Sequence, residues 1–209
     1  LSEFIQEKLN LSYSPEEILI SGGSRPLIYA TYRTIVDEGD TVVYAVPSWN
    51  NNHYCHLSGA KKIELEVGKD QNFMPHAKDL EPFLSEAVLL ALCSPQNPTG
   101  TVFDRNTLKE ICLLVLEENK RRKGNRKPLY ILYDQIYWQL CFGELEHVDP
   151  VSLVPELRDY VIYIDGLSKV YAATGIRVGW SFGPIEIMNK MRAILSHVGA
   201  WAPKAEQMA

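Results

Sequence analysis

The chain has 209 residues, 46% of them hydrophobic, enough for one large domain or two small ones with a sizeable core. Its net charge of −5 gives no electrostatic case for nucleic acid or an anionic membrane as the main partner. No apolar run is long enough to span a bilayer, no signal peptide is visible, and Cys55, Cys93, Cys112 and Cys141 lack metal or redox spacing, so a reducing cytoplasm is expected.

The chain starts at Leu1 in helix-like sequence and stops soon after a helical pattern, so it is expected to be a piece of a longer protein. Leu1, Phe4, Ile5 and Leu9 recur at helical spacing. A turn at Ser14–Glu17 leads to a short strand, Ile18–Ile20, and then to Ser21-Gly22-Gly23-Ser24-Arg25. A helical pattern follows from Pro26 to Val36. Strand, glycine pair, hydroxyl and helix start can cradle a phosphate, because glycines admit close backbone approach and the helix start offers free N–H groups. Taken alone, such a stretch is more often a plain strand-to-helix turn.

Thr41–Val46 reads as a strand stopped by Pro47-Ser48-Trp49. An indole at a strand's carboxyl end can stack on a planar ring, or be a partly buried core residue. Asn50–Tyr54 starts a short helix ending at Gly59. His53 within it is read as a polar contact rather than a metal ligand, since no partner ligands stand at suitable spacing; no metal is expected. Lys62–Val67 alternates like a strand, and Leu80–Leu84 belongs to a short helix. Ala87–Cys93 is continuously apolar, the pattern of a strand buried on both faces. It ends in a loop, Ser94–Gly100, where Asn97 sits between two prolines.

Asp104–Lys123 is a long amphipathic helix with Asp104 as N-cap. The basic run Lys120–Lys127 is read as its solvated end. Leu129–Tyr133 is another buried strand, ending in Asp134-Gln135-Ile136-Tyr137. A carboxylate there is costly unless paired. Asp134 and Tyr137, three apart across a turn, can face one cavity. Val151–Leu157 gives a short helix and Tyr160–Ile164 a buried strand, with Asp165-Gly166 as a turn signal. Lys169 then lies where a strand opens into a loop, the edge at which ligands bind in sheets flanked by helices. A lysine kept neutral by burial or a nearby cation can form a Schiff base. Arg177 is such a cation, or a phosphate clamp. Val178–Gly183 is a strand, Pro184–His197 a helix with Pro184 in its first turn, and the tail to Ala209 gives no reading. Strands alternate with helices throughout, so the expected fold is α/β, a three-layer αβα domain over residues 1–209 with a mostly parallel sheet.

Six motifs occur in order: Ser24 after Gly22-Gly23, Trp49 after Pro47-Ser48, Asn97-Pro98-Thr99-Gly100, Asp134-x-x-Tyr137, Ser168-Lys169 and Gly175-x-Arg177-x-Gly179. Together they resemble the class I/II aminotransferases, fold-type I pyridoxal 5'-phosphate enzymes similar to aspartate aminotransferase. The resemblance covers nearly the whole chain. It implies transfer of an amino group between an amino acid and a 2-oxo acid, and a homodimeric parent. Lys169 would hold the cofactor and shuttle the substrate's proton, which needs a neutral amine. Asp134 would keep the pyridine nitrogen protonated. Asn97 and Tyr137 would donate to the ring's phenolate oxygen, and Trp49 would stack on the ring. Gly23, Ser24, Arg25 and Arg177 would hold the phosphate. The family usually has Ser or Thr three residues before the lysine, another phosphate contact; here Gly166 stands there, and weaker cofactor binding is expected. The resemblance also implies a cis peptide in the active-site loop, expected at Asn97–Pro98. It implies that the chain is a large cofactor-binding domain cut at both ends, without the small domain, and at best weakly active alone. A carbon–sulfur lyase, a cyclopropane-forming synthase and a non-catalytic aminotransferase-like binding module share these features.

Overall fold

A computed structural model of the chain describes residues 1–208. The strands are β1 (Ile18–Ser21), β2 (Thr41–Val46), β3 (Lys61–Glu66), β4 (Ala87–Cys93), β5 (Tyr130–Asp134), β6 (Val161–Gly166) and β7 (Gly179–Phe182). They form one sheet in the order β1-β7-β6-β5-β4-β2-β3. Only β7 runs antiparallel to its neighbours, so the sheet is parallel but for one strand, as expected.

Alternate strand residues feed two apolar layers, because successive side chains point to opposite faces. Val161 and Tyr163 join one layer with Leu108 and Ile111 of α5 (Arg105–Arg122), Ile5 of α1 (Ser2–Leu9) and Leu80 of α4 (Ala77–Leu84). Ile162 and Ile164 join the other, with Leu27 of α2 (Ser24–Ile35), Tyr54 of α3 (Asn51–Ser58) and Met188 of α8 (Ile185–Val198). Three shorter helices, α6 (Pro150–Leu153), α7 (Leu167–Val170) and α9 (Lys204–Met208), complete the fold. Among the described residues no helix is long and apolar enough to cross a membrane.

Asp104 caps α5 as expected, accepting from the amides of Asn106 at 3.0 Å and Thr107 at 2.9 Å. Other expectations change. Asp165-Gly166 is not a turn: both residues end β6, with Asp165 opposite Trp180 and Gly166 opposite Gly179. Gly166 stays extended because β7 lies against it; a Cβ there would sit 3.0 Å from both the Gly179 Cα and the Val178 carbonyl oxygen. Pro184 precedes α8 as its N-cap rather than lying in its first turn. The basic run is not wholly solvated, since Arg122 is 3% exposed. Its fork donates to Glu118 and to the carbonyls of Leu84 and Ala87, joining the ends of α4, α5 and β4.

Candidate active site

The carboxyl ends of β1, β2, β4, β5 and β6 open toward one cavity of about 180 Å³. Ser24, Arg25, Trp49, Asn97, Asp134, Tyr137, Lys169 and Arg177 all line it. Gly23 lies behind, against Arg177. Every residue that the resemblance assigns to the cofactor is therefore at or next to this cavity, while His53, on α3, does not line it. Ile28, Ile136, Ser168 and Thr174 complete the wall. Of these, Ser168 belongs to the Ser168-Lys169 motif; Thr174, just before Gly175, lies outside the motifs and carried no signal.

Each position has a local cause. Gly23 takes φ +111, a conformation L side chains rarely adopt, and an added Cβ would lie 2.5 Å from an Arg177 guanidinium nitrogen. Arg177 itself has φ +60. Its Nη2 donates to the Gly22 carbonyl at 2.7 Å and its Nη1 to the Thr174 carbonyl at 2.8 Å. A Cβ on Gly179 would fall 2.5 Å from the Gly23 carbonyl carbon and 2.6 Å from the Ser24 nitrogen. Gly23, Gly179 and Gly166 thus pack backbone on backbone beneath the start of α2. The start of α2, with Ser24 and Arg25, and the Arg177 guanidinium line the same cavity, a donor set suited to an oxyanion such as phosphate, while the Gly22 and Gly23 amides already donate to the Ala200 and Ser21 carbonyls.

Asp134 ends β5 with its carboxylate accepting from the Ile136 amide at 3.1 Å. Burial pushes its carboxyl up to about 6, against the opposing pull of that amide and of the Lys169 charge. The Tyr137 hydroxyl accepts from the Asn97 amide nitrogen at 3.1 Å, which leaves its own proton free to donate into the cavity. Burial, then the nearby Asp134 charge, raises the Tyr137 phenol above its ordinary range. The Lys169 Nζ stands 5.9 Å from the Tyr137 ring centroid, on the single turn of α7 rather than in an open loop. Trp49 is 47% exposed, so it is a wall of the cavity rather than core, and the Arg25 guanidinium lies 5.4 Å over its ring. Asn97–Pro98 is cis, as are Val46–Pro47 and Ser94–Pro95. Among the described residues no group of three or more His, Cys, Asp or Glu side chains is placed to hold a metal ion.

Comparison with known proteins shows the family and the fold. The family described as aminotransferase class I and II matches residues 1–205. An aspartate aminotransferase of Bacillus sp. (strain YM-2) is 30% identical over 201 residues, covering 95% of this chain and 49% of its own. A bifunctional aspartate aminotransferase and glutamate/aspartate-prephenate aminotransferase of Petunia hybrida is 30% identical over 211 residues, covering 100% of this chain and 42% of its own. The aspartate aminotransferase of Thermus thermophilus, solved with maleate, superposes with a TM-score of 0.86 at 25% identity, over 96% of this chain and 50% of that one. The chain spans about half the length of the curated relatives it matches.

Proposed function

We propose that this chain, which belongs to the aminotransferase class I and II family, is the large cofactor-binding domain of an aminotransferase that exchanges an amino group between an amino acid and a 2-oxo acid. The observation that carries the reading is the meeting of Lys169, Asp134, Tyr137, Asn97 and Arg177 around one cavity. The relatives named aspartate aminotransferase make aspartate the first amino acid to test. Nothing at the site favours a lyase, a synthase or a non-catalytic module. Four free thiols suit a reducing cytoplasm, and the whole enzyme is proposed to work as a homodimer.

The residues fit pyridoxal 5'-phosphate. Ser24, Arg25 and the Arg177 guanidinium line the cavity together and offer an anion seat, held in place by Gly23 against Arg177 and Gly179 against the start of α2, where side chains would collide. Asp134 is a half-buried carboxylate in the cavity wall, whose charged form a ring N–H would stabilise. When bound, this cofactor supplies an aldehyde that condenses with amines and a cationic ring that draws electrons from the substrate's alpha carbon. Lys169 Nζ would be the amine that anchors the aldehyde carbon and moves the alpha-carbon proton. Asp134 would hold a proton on the ring nitrogen. Tyr137 and Asn97 would donate to the ring's phenolic oxygen, and Trp49 would cover a ring face.

The test is titration with pyridoxal phosphate, borohydride reduction and peptide mapping. The expected result is a shifted visible band and a reduced label on Lys169, both absent from Lys169→Ala. A label spread over surface lysines, with the same band in Lys169→Ala, would reject the site.

A further inference from the structure

The face of the sheet behind the cavity carries a buried polar cluster that the proposed chemistry does not use. Asp134 is in register with Ile164, so Asp165, the next residue, turns to the opposite face. Asp165 is fully buried. One carboxylate oxygen accepts from the Trp138 indole N–H at 2.8 Å, and the other accepts from the Gly166 amide at 2.7 Å. Trp138 directly follows Tyr137 and starts the turn Trp138–Leu140. Gly166 directly precedes α7, which carries Lys169. Phe4 packs edge-on against Trp138, with centroids 6.4 Å apart, and shields this side.

The geometry points to Asp165 as a positioning residue: its hydrogen bond to Trp138 ties the loop carrying Tyr137 to the turn carrying Lys169, from behind the sheet. The inference rests on Lys169 and Tyr137 being functional, as proposed above. The physical case is that the two loops belong to neighbouring strands whose backbone ladder stops at their ends. The last ladder contacts there are Asp134 with Ile164 and the Gln135 amide with the Ile164 carbonyl at 3.0 Å. Beyond that point the Asp165–Trp138 bond joins the two segments across the back. It lies one residue from Tyr137 and four from Lys169, whose amine and ring stand 5.9 Å apart. Its burial keeps water from competing, which makes it stronger than the same bond at the surface. Gln135 is also fully buried, and its Oε1 stands 3.3 Å from His147 Nε2, which extends the polar layer.

The test reads Lys169 directly in the cofactor-free protein, by trace acetylation of lysines and mass spectrometry with the other lysines as internal references. The variants are Asp165→Ala, Trp138→Phe, their double, and Asp165→Asn, each first shown to unfold cooperatively. Both single losses should change the relative labelling rate of Lys169 by about threefold or more, the scale on which one hydrogen bond shifts an equilibrium. The double should change it no further than either single. Asp165→Asn should stay near the parent rate, since its amide oxygen still accepts from the indole. If Asp165→Ala does not fold, Trp138→Phe against Asp165→Asn carries the same comparison. An unaltered Lys169 rate in Trp138→Phe, or losses that multiply in the double, would overturn the tie. Because no cofactor is present, a failure of pyridoxal phosphate to label Lys169 is a separate result and leaves this reading standing or falling by itself.

Discussion

Gly166 stands where the resemblance leads one to expect a hydroxyl side chain, and its surroundings explain the absence. A Cβ would meet the Gly179 Cα and the Val178 carbonyl at 3.0 Å, backbone atoms at and just before the start of β7, a strand paired on both sides. Restoring the hydroxyl therefore has to push β7 away. Gly166→Ser is expected to lower stability by ~1–3 kcal/mol, the usual range for overpacking, and to give no gain in pyridoxal phosphate affinity. Urea unfolding and a binding titration read the two quantities separately; tighter binding at unchanged stability would contradict the packing argument. Asp165 gives a second prediction at this scale. Burial, opposed by the Gly166 amide and the Trp138 indole, carries its carboxyl up to about 7. The unfolded chain has an ordinary aspartate at ~3.9. Between these values the folded protein holds a proton that the unfolded chain has lost. The stability this group contributes is therefore complete below the lower value and is lost as pH rises through the upper one. Asparagine does not titrate. The stability of Asp165→Asn relative to the parent should thus increase from pH 5 to pH 7, by at most ~1.4 kcal/mol per unit, and then level off. His147, which burial takes down to about 4, contributes the opposite slope in both proteins and cancels in the difference. A flat difference across that range would mean that Asp165 titrates normally.

The sequence showed most elements because their patterns are strong. Ala87–Cys93 and Val161–Ile164 are apolar without a break since both faces of those strands are covered, and Asp104 is legible as a cap because a carboxylate satisfies the free amides of a helix start. The end of α5 was not legible. A run of arginine and lysine looks solvated whichever member folds inward, and only tertiary structure brings the Leu84 and Ala87 carbonyls to Arg122. Arg122 Nε also pairs with Glu118 at 2.7 Å, and both side chains are buried. Arg122→Ala leaves that carboxylate and those carbonyls without their donor and should cost ~3–5 kcal/mol, seen as a shifted denaturant midpoint. Arg122→Lys should recover only part, because an ammonium cannot reproduce the fork. Arg121, 73% exposed on its side chain, is the control: Arg121→Ala should stay within about 0.5 kcal/mol of the parent. Equal effects at the two positions would remove Arg122 from any joining role. The Asp165–Trp138 pair escaped sequence reading for a related reason. Asp-Gly is a common turn signal, and nothing local says that here it ends a strand whose aspartate faces inward.

On the scale of the whole molecule, strand periodicity gave the layers but neither the strand order nor the one reversed strand, because burial pattern does not record direction. Chain direction matters for the site: with β7 antiparallel between β1 and β6, Gly179 at its start meets both Gly23 and Gly166 at their carboxyl ends. The motif residues nevertheless all reach one edge, since strand ends that precede helices gather there in any parallel sheet of this kind. The same sheet makes the two apolar layers one folding unit. The parallel inner strands β2, β4, β5 and β6 alternate between Val43, Leu90, Tyr133 and Tyr163 on one side and Val42, Leu89, Leu132 and Ile162 on the other. Neither layer can melt while the strands that form half of the other stay in place. Leu108 on α5 and Met188 on α8 are fully buried on opposite sides of the sheet. Leu108→Ala and Met188→Ala should each cost ~2–5 kcal/mol. Because the sheet separates them, the double variant should cost their sum to within about 0.5 kcal/mol. Both losses should lower a single transition seen alike by far-UV circular dichroism and by tryptophan fluorescence. If Met188→Ala instead splits the unfolding curve into two steps while Leu108→Ala leaves one of them untouched, the layers are separate units and the shared-strand argument fails.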